Sequence, residues 1–335
     1  MTEFTASLIS WFESVGRDLP WRRTRDPYTI LVSELMLQQT QVATVVAYFE
    51  RWMRRFPNVK SLADADESQV LRMWEGLGYY ARARNLHRAA KVIDENGGQF
   101  PRTLEGIRAL PGVGPYTAGA VASFAFGLRA PIVDANIARV IARLQNMRDP
   151  IDTTSGQKRV WDYAAAILPT RGAEARNHNA ALMELGAILC KPGEPPCLLC
   201  PVKQWCEATD PSSLPQKRAR RATVDLEEHC GWIVHRGRVL LQTSEGSRGR
   251  GMWQLPMINA PARIVPLHES TYPYTHHRVR LRVYLAPPPS RPSKDQRWFP
   301  LSKVNNTAMT SPHRRALVGI LGQPPAPPLS ALVSP

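Results

Sequence analysis

Four cysteines in the second half of the chain carry the clearest chemical signal in the sequence. Cys190, Cys197, Cys200 and Cys206 follow the spacing C-x6-C-x2-C-x5-C. In a reducing cytosol, cysteines grouped in this way are more typical of metal ligands than of disulfides. Four thiolates suit zinc or an iron–sulfur cluster, and the donor set alone does not separate the two.

A glutamate in the N-terminal part has a position that could support acid catalysis. Glu34, in PYTILVSELMLQQTQ, falls on a helical stripe with Ile30, Leu37, Gln41 and Val45. Apolar surroundings raise the pKa of a carboxyl and keep it protonated near neutrality, as a general acid requires. The alternative is a glutamate on the helix surface, and the periodicity alone favours this alternative.

A second carboxyl, Asp134, comes directly before the amphipathic run of VDANIARVIARL. Its first interpretation is a helix N-cap, because aspartate accepts a hydrogen bond from a free backbone N–H at that place. A capping carboxylate can also act on a ligand if its other oxygen points into a cleft. Asn136 lies beside it and could help to hold a sugar.

A glycine-containing turn lies between two helical stretches in LPGVGPYTAGAVASFAFG. Gly112 and Gly114 allow the backbone to turn tightly and to direct amide N–H groups at an anion, to which the following helix adds its dipole. A G-x-G turn by itself is more often an ordinary helix connection.

The charge of the chain favours a polyanionic partner. The sequence has 43 Lys and Arg against 28 Asp and Glu, which gives a formal net charge of +15. Nucleic acid is the polyanion that such a balance indicates. Because no apolar run is long enough to cross a membrane and the first residues lack the basic region of a signal peptide, we expect a cytoplasmic protein without membrane contacts, nucleoid-associated if bacterial.

The 335 residues suit two domains, and their patterning changes near residue 206. Residues 1–206 show helical periodicity, with DPYTILVSELMLQQTQVATVVAYFERWM as one example. Residues 207–223 are polar and basic, which is typical of a linker. The pattern predicts strands and a closing helix in 224–322, and the proline-rich tail 323–335 is predicted to be disordered.

Three patterns in the strand-rich part give local predictions. CGWIVHRGRVLLQT predicts a hairpin that turns at Arg236 and Gly237. RVRLRVYL alternates apolar residues with arginines, which predicts a half-buried strand with a basic face. SPHRRALVGIL predicts a helix with Ser311 as its N-cap.

Taken together, these motifs resemble the endonuclease III superfamily of DNA glycosylases. The cysteine spacing after MELGAILC resembles its 4Fe-4S signature, and LPGVG-x-x-TA resembles its helix-hairpin-helix, which clamps a DNA phosphate. LPW at 19–21, SELMLQQTQVATV at 33–45, GLGYYARARNLH at 76–87 and VDANIARV at 133–140 resemble its adenine-specific branch. The resemblance runs from about residue 8 to residue 206.

This resemblance implies a catalytic set and a cofactor. Glu34 would protonate the leaving adenine, Asp134 would stabilise the oxocarbenium-like sugar, and Asn136 and Tyr116 would line the site. Bifunctional members carry a lysine directly before the Thr-Ala pair, whereas this chain has Tyr116, which cannot form a Schiff base. The four cysteines 190, 197, 200 and 206 would hold one 4Fe-4S cluster in a loop over residues 190–206.

The resemblance also implies a set of DNA contacts. Trp21 and Arg22 would form walls of the base pocket, and Gln39 and Tyr79 would wedge into the base stack around the mispair. The alternatives for the last two are a helix-surface amide and a core aromatic. Gly112 and Gly114 would bind a phosphate through the helix-hairpin-helix.

In the C-terminal part, GRVLLQTSEGSRGRGMWQLPM resembles the opening of the Nudix-like domain with which this branch recognises 8-oxoguanine. The counterpart of the family's aromatic-Ser-His loop is Tyr274, Thr275 and His276, in which threonine keeps the hydroxyl and adds a methyl group. The segment before this loop is shorter than the family pattern, so we expect a helix to be missing there. The Nudix motif G-x5-E-x7-R-E is absent from the sequence, which argues against pyrophosphohydrolysis.

The sequence thus predicts a mainly α fold, with a helix-hairpin-helix glycosylase core, an iron–sulfur cluster loop and a smaller α+β, Nudix-like C-terminal domain. The predicted function is monofunctional removal of adenine opposite 8-oxoguanine or G in double-stranded DNA, by a monomer, in base excision repair. The alternatives are a mismatch-thymine or oxidised-pyrimidine glycosylase of the same superfamily and a non-catalytic DNA-binding iron–sulfur protein.

Overall fold

Helices make up most of the regular structure, as predicted. The computed structural model describes residues 2–219, 222–244, 249–261 and 264–322, so the predicted disordered tail 323–335 lies outside the described residues. Within these ranges no helix is long and apolar enough to cross a membrane. The α-helices are α1 (Glu3–Val15), α2 (Pro27–Leu37), α3 (Val42–Arg55), α4 (Val59–Ala63), α5 (Glu67–Trp74), α6 (Ala81–Glu95), α7 (Leu104–Arg108), α8 (Pro115–Phe126), α9 (Ala135–Leu144), α10 (Thr154–Ala166), α11 (Gly172–Glu184) and α12 (Ser311–Leu321).

The helices α2 and α8 carry two of the predicted catalytic residues and pack against each other. Each begins with a proline. Proline lacks a backbone N–H, but an N–H in the first turn of a helix would have no partner within the helix. The carboxylate of Asp26 caps α2 by accepting a hydrogen bond from the N–H of Thr29 at 2.8 Å. Their contact brings Glu34 on α2 next to Tyr116 on α8.

The predicted helical stripe through Glu34 does not continue into the next helix. α2 ends at Leu37, Gln39 has a φ of 56°, and α3 begins at Val42 with Gln41 as its N-cap. Gln41 and Val45 therefore belong to a different helix from Glu34, which corrects the prediction of one stripe. The segment contains no glycine or proline, so the sequence gives no local signal for this break.

Two sheets form after residue 223. Their strands are β1 (Val224–Trp232), β2 (Val234–His235), β3 (Arg238–Thr243), β4 (Trp253–Gln254), β5 (His268–Tyr274), β6 (His277–Leu285) and β7 (Gln296–Pro300). In the first sheet, β6 lies between β1, with which it is parallel, and β5, with which it is antiparallel. In the second sheet, β3 pairs antiparallel with β2, β4 and β7.

The alternating strand was predicted correctly, but its exposed face is not simply basic. Val279, Leu281 and Val283 of β6 are fully buried, as the alternation requires. On the other face, Arg278, Arg280 and Arg282 lie within 3.1–3.9 Å of acidic side chains on the strands either side. Those acidic residues are Asp225 and Glu227 of β1 and Glu269 of β5.

The other local predictions are confirmed, with one shift. Arg236 and Gly237 both have positive φ, 47° and 70°, which matches a tight two-residue hairpin turn between β2 and β3. α12 begins at Ser311 with Thr310 as its N-cap, one residue before the predicted cap. In the described residues between β4 and β5 there is no helix, as expected from the short segment.

The chain forms two compact units whose boundary differs from the predicted domain boundary. The first unit comprises Met1–Asp64 and Arg88–Ala219, and the second comprises Ala65–His87 together with the described part of Arg220–Pro335. The sequence pattern places residues 65–87 in the helical domain. In the structure, Glu75 and Tyr80 of this segment contact α12, and helical periodicity gives no information about such a long-range contact.

A glycine allows α8 to lie close to the backbone that precedes α9. A Cβ atom at Gly119 would lie 2.5 Å from the carbonyl oxygen of Pro131 and 3.0 Å from a methyl group of Ile132. A backbone oxygen cannot move away as a flexible side chain can. The glycine therefore fixes the distance between the helix that carries Tyr116 and the segment that leads to Asp134.

We predict that Gly119→Ala lowers the free energy of unfolding by about 1–3 kcal/mol, because overpacking outweighs the better helix propensity of alanine. Thermal unfolding of the purified variant measures the effect. Gly319→Ala in α12 is the matched control, since a Cβ atom there meets its nearest neighbour at an ordinary 3.4 Å. A G119A protein as stable as the wild type would show that α8 and the segment before α9 can move apart without loss of stability.

Candidate active site

One cavity in the first unit brings together most of the predicted site residues. Its volume is about 1030 Å³. Tyr79, Thr275 and His276 belong to the second unit and are not among the residues that line the cavity. The predicted residues that do line it are Trp21, Arg22, Glu34, Gln39, Gly112, Gly114, Tyr116, Asp134 and Asn136.

Glu34 is buried rather than on the surface of its helix. It is 3 % exposed, and its Oε2 accepts a hydrogen bond of 2.7 Å from the hydroxyl of Tyr116. Burial raises the pKa of Glu34 to about 7, the charge of Asp134 adds to the rise, and the hydrogen bond from Tyr116 opposes it. The carboxyl is therefore close to half protonated at neutral pH, which is the state that proton donation requires.

Asp134 is the N-cap of α9, and its two oxygens have different partners. Oδ1 accepts a hydrogen bond of 2.7 Å from the N–H of Ile137, and Oδ2 accepts one of 3.1 Å from the side-chain amide of Asn136. Burial raises the pKa of Asp134, and these hydrogen bonds oppose the rise. Both predicted properties of this residue, helix capping and a position in a cleft, are present together.

The glycine turn connects α7 to α8 and borders the same cavity. Gly112 has a φ of 76°, a conformation that residues with a Cβ rarely adopt. Gly114 is the N-cap of α8, has no side chain to cap the helix, and would have open space around a Cβ atom. The first amides of α8 thus have no side-chain cap at an exposed turn, as a phosphate contact requires.

Glu184 is a cavity residue that the sequence analysis did not select. It is fully buried at the end of α11 and accepts hydrogen bonds from Arg17 at 2.7 Å and from Arg22 at 2.8 Å. Burial alone would raise the pKa of Glu184, but the hydrogen bonds from the two arginines lower it to about 2. The available signal was a single acidic residue in the apolar run before Cys190.

Trp21 and Gln39 border the cavity in different ways. Trp21 is 7 % exposed and its ring packs edge-on against Phe49, with ring centroids 5.3 Å apart. Gln39 is exposed in the connection between α2 and α3, where its φ is 56°. Trp21 is therefore a rigid wall, whereas Gln39 is an exposed polar side chain on a strained backbone.

The four cysteines lie in a loop that Arg143 holds in place. Arg143 is 1 % exposed and donates to Cys190 Sγ at 3.2 Å and to the carbonyl of Lys191 at 2.7 Å. The thiol of Cys206 donates to the carbonyl of Arg143 at 3.4 Å. One buried arginine therefore fixes both ends of the cysteine motif.

Burial disfavours the thiolate form of Cys200 when no cation is bound. It raises the pKa of Cys200 to about 11, and the charges of the other three cysteines contribute to this rise. Either a zinc ion or the core of an iron–sulfur cluster would supply the positive charge that four thiolates need.

Arg139 connects this loop to the predicted catalytic residues. Its guanidinium donates to Asn136 Oδ1 at 2.9 Å, to the carbonyl of Gly186 at 2.7 Å and to the carbonyl of Cys190 at 2.8 Å. Gly186 lies in a π-helical turn, Leu185–Leu189, and a Cβ atom there would lie 2.7 Å from Cβ of Asn136. The start of α9 and the start of the cysteine loop are thereby held against each other.

The predicted residues of the second unit lie on turns. Tyr79 is 47 % exposed and has a φ of 48°. Thr275 and His276 form the tip between β5 and β6, and Thr275 is exposed with a φ of 51°. The Thr275 hydroxyl donates to the carbonyl of Tyr274 at 2.7 Å, and the ring of His276 lies 4.0 Å from that of His277.

Comparison with known proteins identifies relatives of this chain. Residues 32–163 match the HhH-GPD superfamily of base excision DNA repair proteins. The chain is 46 % identical over 219 residues to the adenine DNA glycosylase of Homo sapiens, an alignment that covers 62 % of this chain and 40 % of the human protein. It is 42 % identical over 223 residues to the adenine DNA glycosylase of Mycobacterium tuberculosis, covering 65 % of this chain and 72 % of the relative.

The fold is shared with solved structures as well. A thermostable thymine-DNA glycosylase superimposes with a TM-score of 0.54 at 32 % sequence identity, over 61 % of this chain and 94 % of its own. The chain spans less than half the length of the mammalian relatives that it matches. The similarity to the mycobacterial enzyme nonetheless extends over most of that protein, and the chain therefore belongs to the adenine DNA glycosylase family of the HhH-GPD superfamily.

Proposed function

We propose that this protein is a monofunctional DNA glycosylase that removes adenine paired with 8-oxoguanine or G from double-stranded DNA. The observation that carries the proposal is the buried Glu34 carboxyl, whose pKa of about 7 provides a proton donor at neutral pH. It lies in one cavity with Asp134, and a pair of carboxyls with different tasks is the usual arrangement for cleaving a glycosidic bond.

The reaction begins when the adenine is flipped out of the duplex into the cavity. Glu34 donates its proton to a ring nitrogen of the adenine, and the bond between that base and C1′ of the sugar breaks. Positive charge develops on the sugar, and the carboxylate of Asp134 stabilises it, held in place by Ile137 N–H and Asn136. Water then bonds to C1′ and releases a proton, which restores Glu34.

Tyr116 limits the chemistry to this single bond. Its hydroxyl hydrogen-bonds to Glu34, and burial raises its pKa well above the ordinary value, so it remains a neutral donor. A phenol cannot form a Schiff base with the sugar, so no strand cleavage follows. Trp21 forms a flat wall for the base, and Arg22, fixed by Glu184, forms a polar one.

The cysteine loop holds a 4Fe-4S cluster through Cys190, Cys197, Cys200 and Cys206. The donor set of four partly buried thiols, and the arginine that donates to one of them, support this assignment. The bound cluster supplies positive charge that keeps the four sulfurs together as thiolates. Its contribution is to the fold of the loop and, through Arg139, to the position of Asn136.

The DNA contacts are divided between the two units. Gly112 and Gly114 bind a phosphate through the first amides of α8, and Gln39 and Tyr79 enter the base stack at the mispair. Thr275 and His276, at the exposed tip between β5 and β6, contact the 8-oxoguanine. The partner is a single duplex bound by one copy of the chain.

A set of matched duplexes tests the proposal. Single-turnover reactions followed by alkali are run on A opposite 8-oxoguanine, A opposite G, A opposite T, and T opposite G. Alkali-dependent cutting at the first pair, slower cutting at the second and none at the third are expected. Cutting only at T would instead make the protein a thymine glycosylase, the activity named for one structural relative. No cutting of any duplex would refute the proposal.

We predict opposite effects of Glu34→Gln on activity and on stability. Excision falls at least about 100-fold, because the general acid is lost. E34Q should be more stable than the wild type. The reason is that a carboxyl whose pKa is raised from 4.5 to about 7 destabilises the folded protein as the pH rises between those values. The gain should be about 2 kcal/mol larger at pH 8 than at pH 5.5. Thermal unfolding at both pH values measures it.

The matched control for this stability effect is Glu50→Gln, which changes an exposed glutamate of α3. E50Q should change stability equally at both pH values. If E34Q behaved in the same way as E50Q, Glu34 would be ionised in the folded protein throughout this range, and its role as the acid would be lost.

Tyr116→Phe should move the pH dependence of excision. The hydrogen bond from Tyr116 lowers the pKa of Glu34, so its removal lets that pKa rise. Because Glu34 must be protonated to act, activity falls above its pKa, and in Y116F this fall should occur about 0.5–1 pH unit higher. Single-turnover rates at sub-saturating enzyme, from pH 5.5 to pH 9, report the pKa of the free protein.

Tyr28→Phe is the control for this pH profile. Its hydroxyl donates to the carbonyl of Phe56 at 2.8 Å in the same unit, and Tyr28 is not among the residues that line the cavity. Y28F should keep the wild-type profile. A shift of the Y116F profile to lower pH would contradict the assigned direction of the hydrogen bond's effect.

A further inference from the structure

The turn between α5 and α6 contains three residues with positive φ, and one of them is a tyrosine. Gly76, Gly78 and Tyr79 have φ values of 106°, 70° and 48°. Glycine adopts such values freely, but tyrosine does so only when surrounding contacts enforce them. Tyr79 nevertheless leaves 47 % of its surface exposed. A strained backbone that presents an aromatic ring to solvent points to a role for that ring.

Side chains next to the turn hold its backbone in this conformation. The indole N–H of Trp74 donates to the carbonyl of Gly78 at 3.1 Å. The guanidinium of Arg82, which is 7 % exposed, donates to the carbonyls of Leu77 at 3.1 Å and Gly78 at 3.2 Å. The same guanidinium lies 5.5 Å from the centre of the Tyr79 ring. These donors satisfy the carbonyls that the turn leaves without a helical partner.

Both ends of the turn are bound by a single helix, α12. Before the turn, Glu75 accepts a hydrogen bond of 2.8 Å from Arg314, and the two side chains are only 7 % and 13 % exposed. After the turn, the hydroxyl of Tyr80 bonds to the hydroxyl of Ser311 at 2.7 Å. Ser311 and Arg314 are three residues apart and so lie on the same face of α12. All four residues belong to the second unit.

We propose that Ser311 and Arg314 of α12 are positioning residues for Tyr79. They fix the two ends of the turn and so hold the Tyr79 ring in the orientation in which it stacks on the DNA bases at the mispair. The inference rests on the proposed function for the identity of the DNA. It adds that the C-terminal unit contributes to recognition of the mispair through this turn, apart from any contact of Thr275 or His276.

A turn that is held in its DNA-binding conformation before DNA binds gives the strain at Tyr79 a function. An exposed tyrosine that was free to rotate would lose side-chain and backbone entropy on stacking, which weakens binding. Here the folded protein already holds the backbone that carries the ring, so base–aromatic stacking stabilises the complex without the backbone part of that cost. Because Ser311 and Tyr80 contribute one hydrogen bond with two replaceable hydroxyls, the coupling can be tested by small changes.

The test is binding of a duplex with 2′-fluoro-adenosine opposite 8-oxoguanine, whose glycosidic bond resists hydrolysis, against a fully matched duplex. The variants Tyr80→Phe, Ser311→Ala and the double variant are each made with Tyr79 intact and with Tyr79→Ala. With Tyr79 intact, we expect each to weaken binding of the mispair about three- to tenfold, with no further loss in the double variant. Binding of the matched duplex should not change.

With Tyr79→Ala already present, none of the three changes should weaken binding further. A general loss of stability would weaken binding in both backgrounds, so the comparison separates positioning from folding. Tyr272→Phe is the control, because it removes a tyrosine hydroxyl that donates to Glu228 at 2.7 Å elsewhere in the same unit. It should bind the mispair as the wild type does.

Equal losses with and without Tyr79, or wild-type binding by both Y80F and S311A, would overturn the inference. So would a wild-type protein with no preference for the mispaired duplex. Excision by the wild type is measured separately on the hydrolysable duplex. If adenine is removed but the binding changes are not coupled to Tyr79, this inference fails alone, whereas absence of excision refutes the proposed function.

Discussion

The helical unit buries two carboxyl groups in one cavity, and their surroundings shift their pKa values in opposite directions. Glu34 has a neutral hydroxyl as its hydrogen-bond partner, and burial raises its pKa to about 7. Glu184 has two arginines, and its pKa falls to about 2. One carboxyl can therefore exchange a proton at neutral pH, while the other stays charged and holds Arg17 and Arg22 in place.

Several of the proposed DNA contacts have a strained backbone conformation. In the described residues, five non-glycine residues have positive φ, and three of them, Gln39, Tyr79 and Thr275, were selected from the sequence as DNA contacts without knowledge of their conformation. Strained residues persist where surrounding contacts enforce them, and they concentrate at functional sites. For Tyr79 those contacts are identified, from Trp74 and Arg82 within the turn to α12 at its ends.

The sequence predicted features that depend on nearby residues. The N-cap Asp134, the hairpin at Arg236 and the alternating burial of β6 each follow from a few consecutive positions, and all are present. Glu184 was missed because its partners are more than 160 residues away in the chain. The grouping of residues 65–87 with α12 was missed for the same reason. A local sequence pattern contains no information about which residues from distant parts of the chain will form an ion pair with a buried charge.

The acidic partners of the β6 arginines affect how the net charge of +15 can act. A cation that already has a carboxylate 3–4 Å away must give up that contact before it neutralises a phosphate. It therefore displaces few of the small ions condensed around DNA, and the release of those ions is what makes binding depend on salt. The dependence of DNA affinity on ionic strength should thus reflect fewer arginines than the composition contains, with the face of β6 among those that do not contribute.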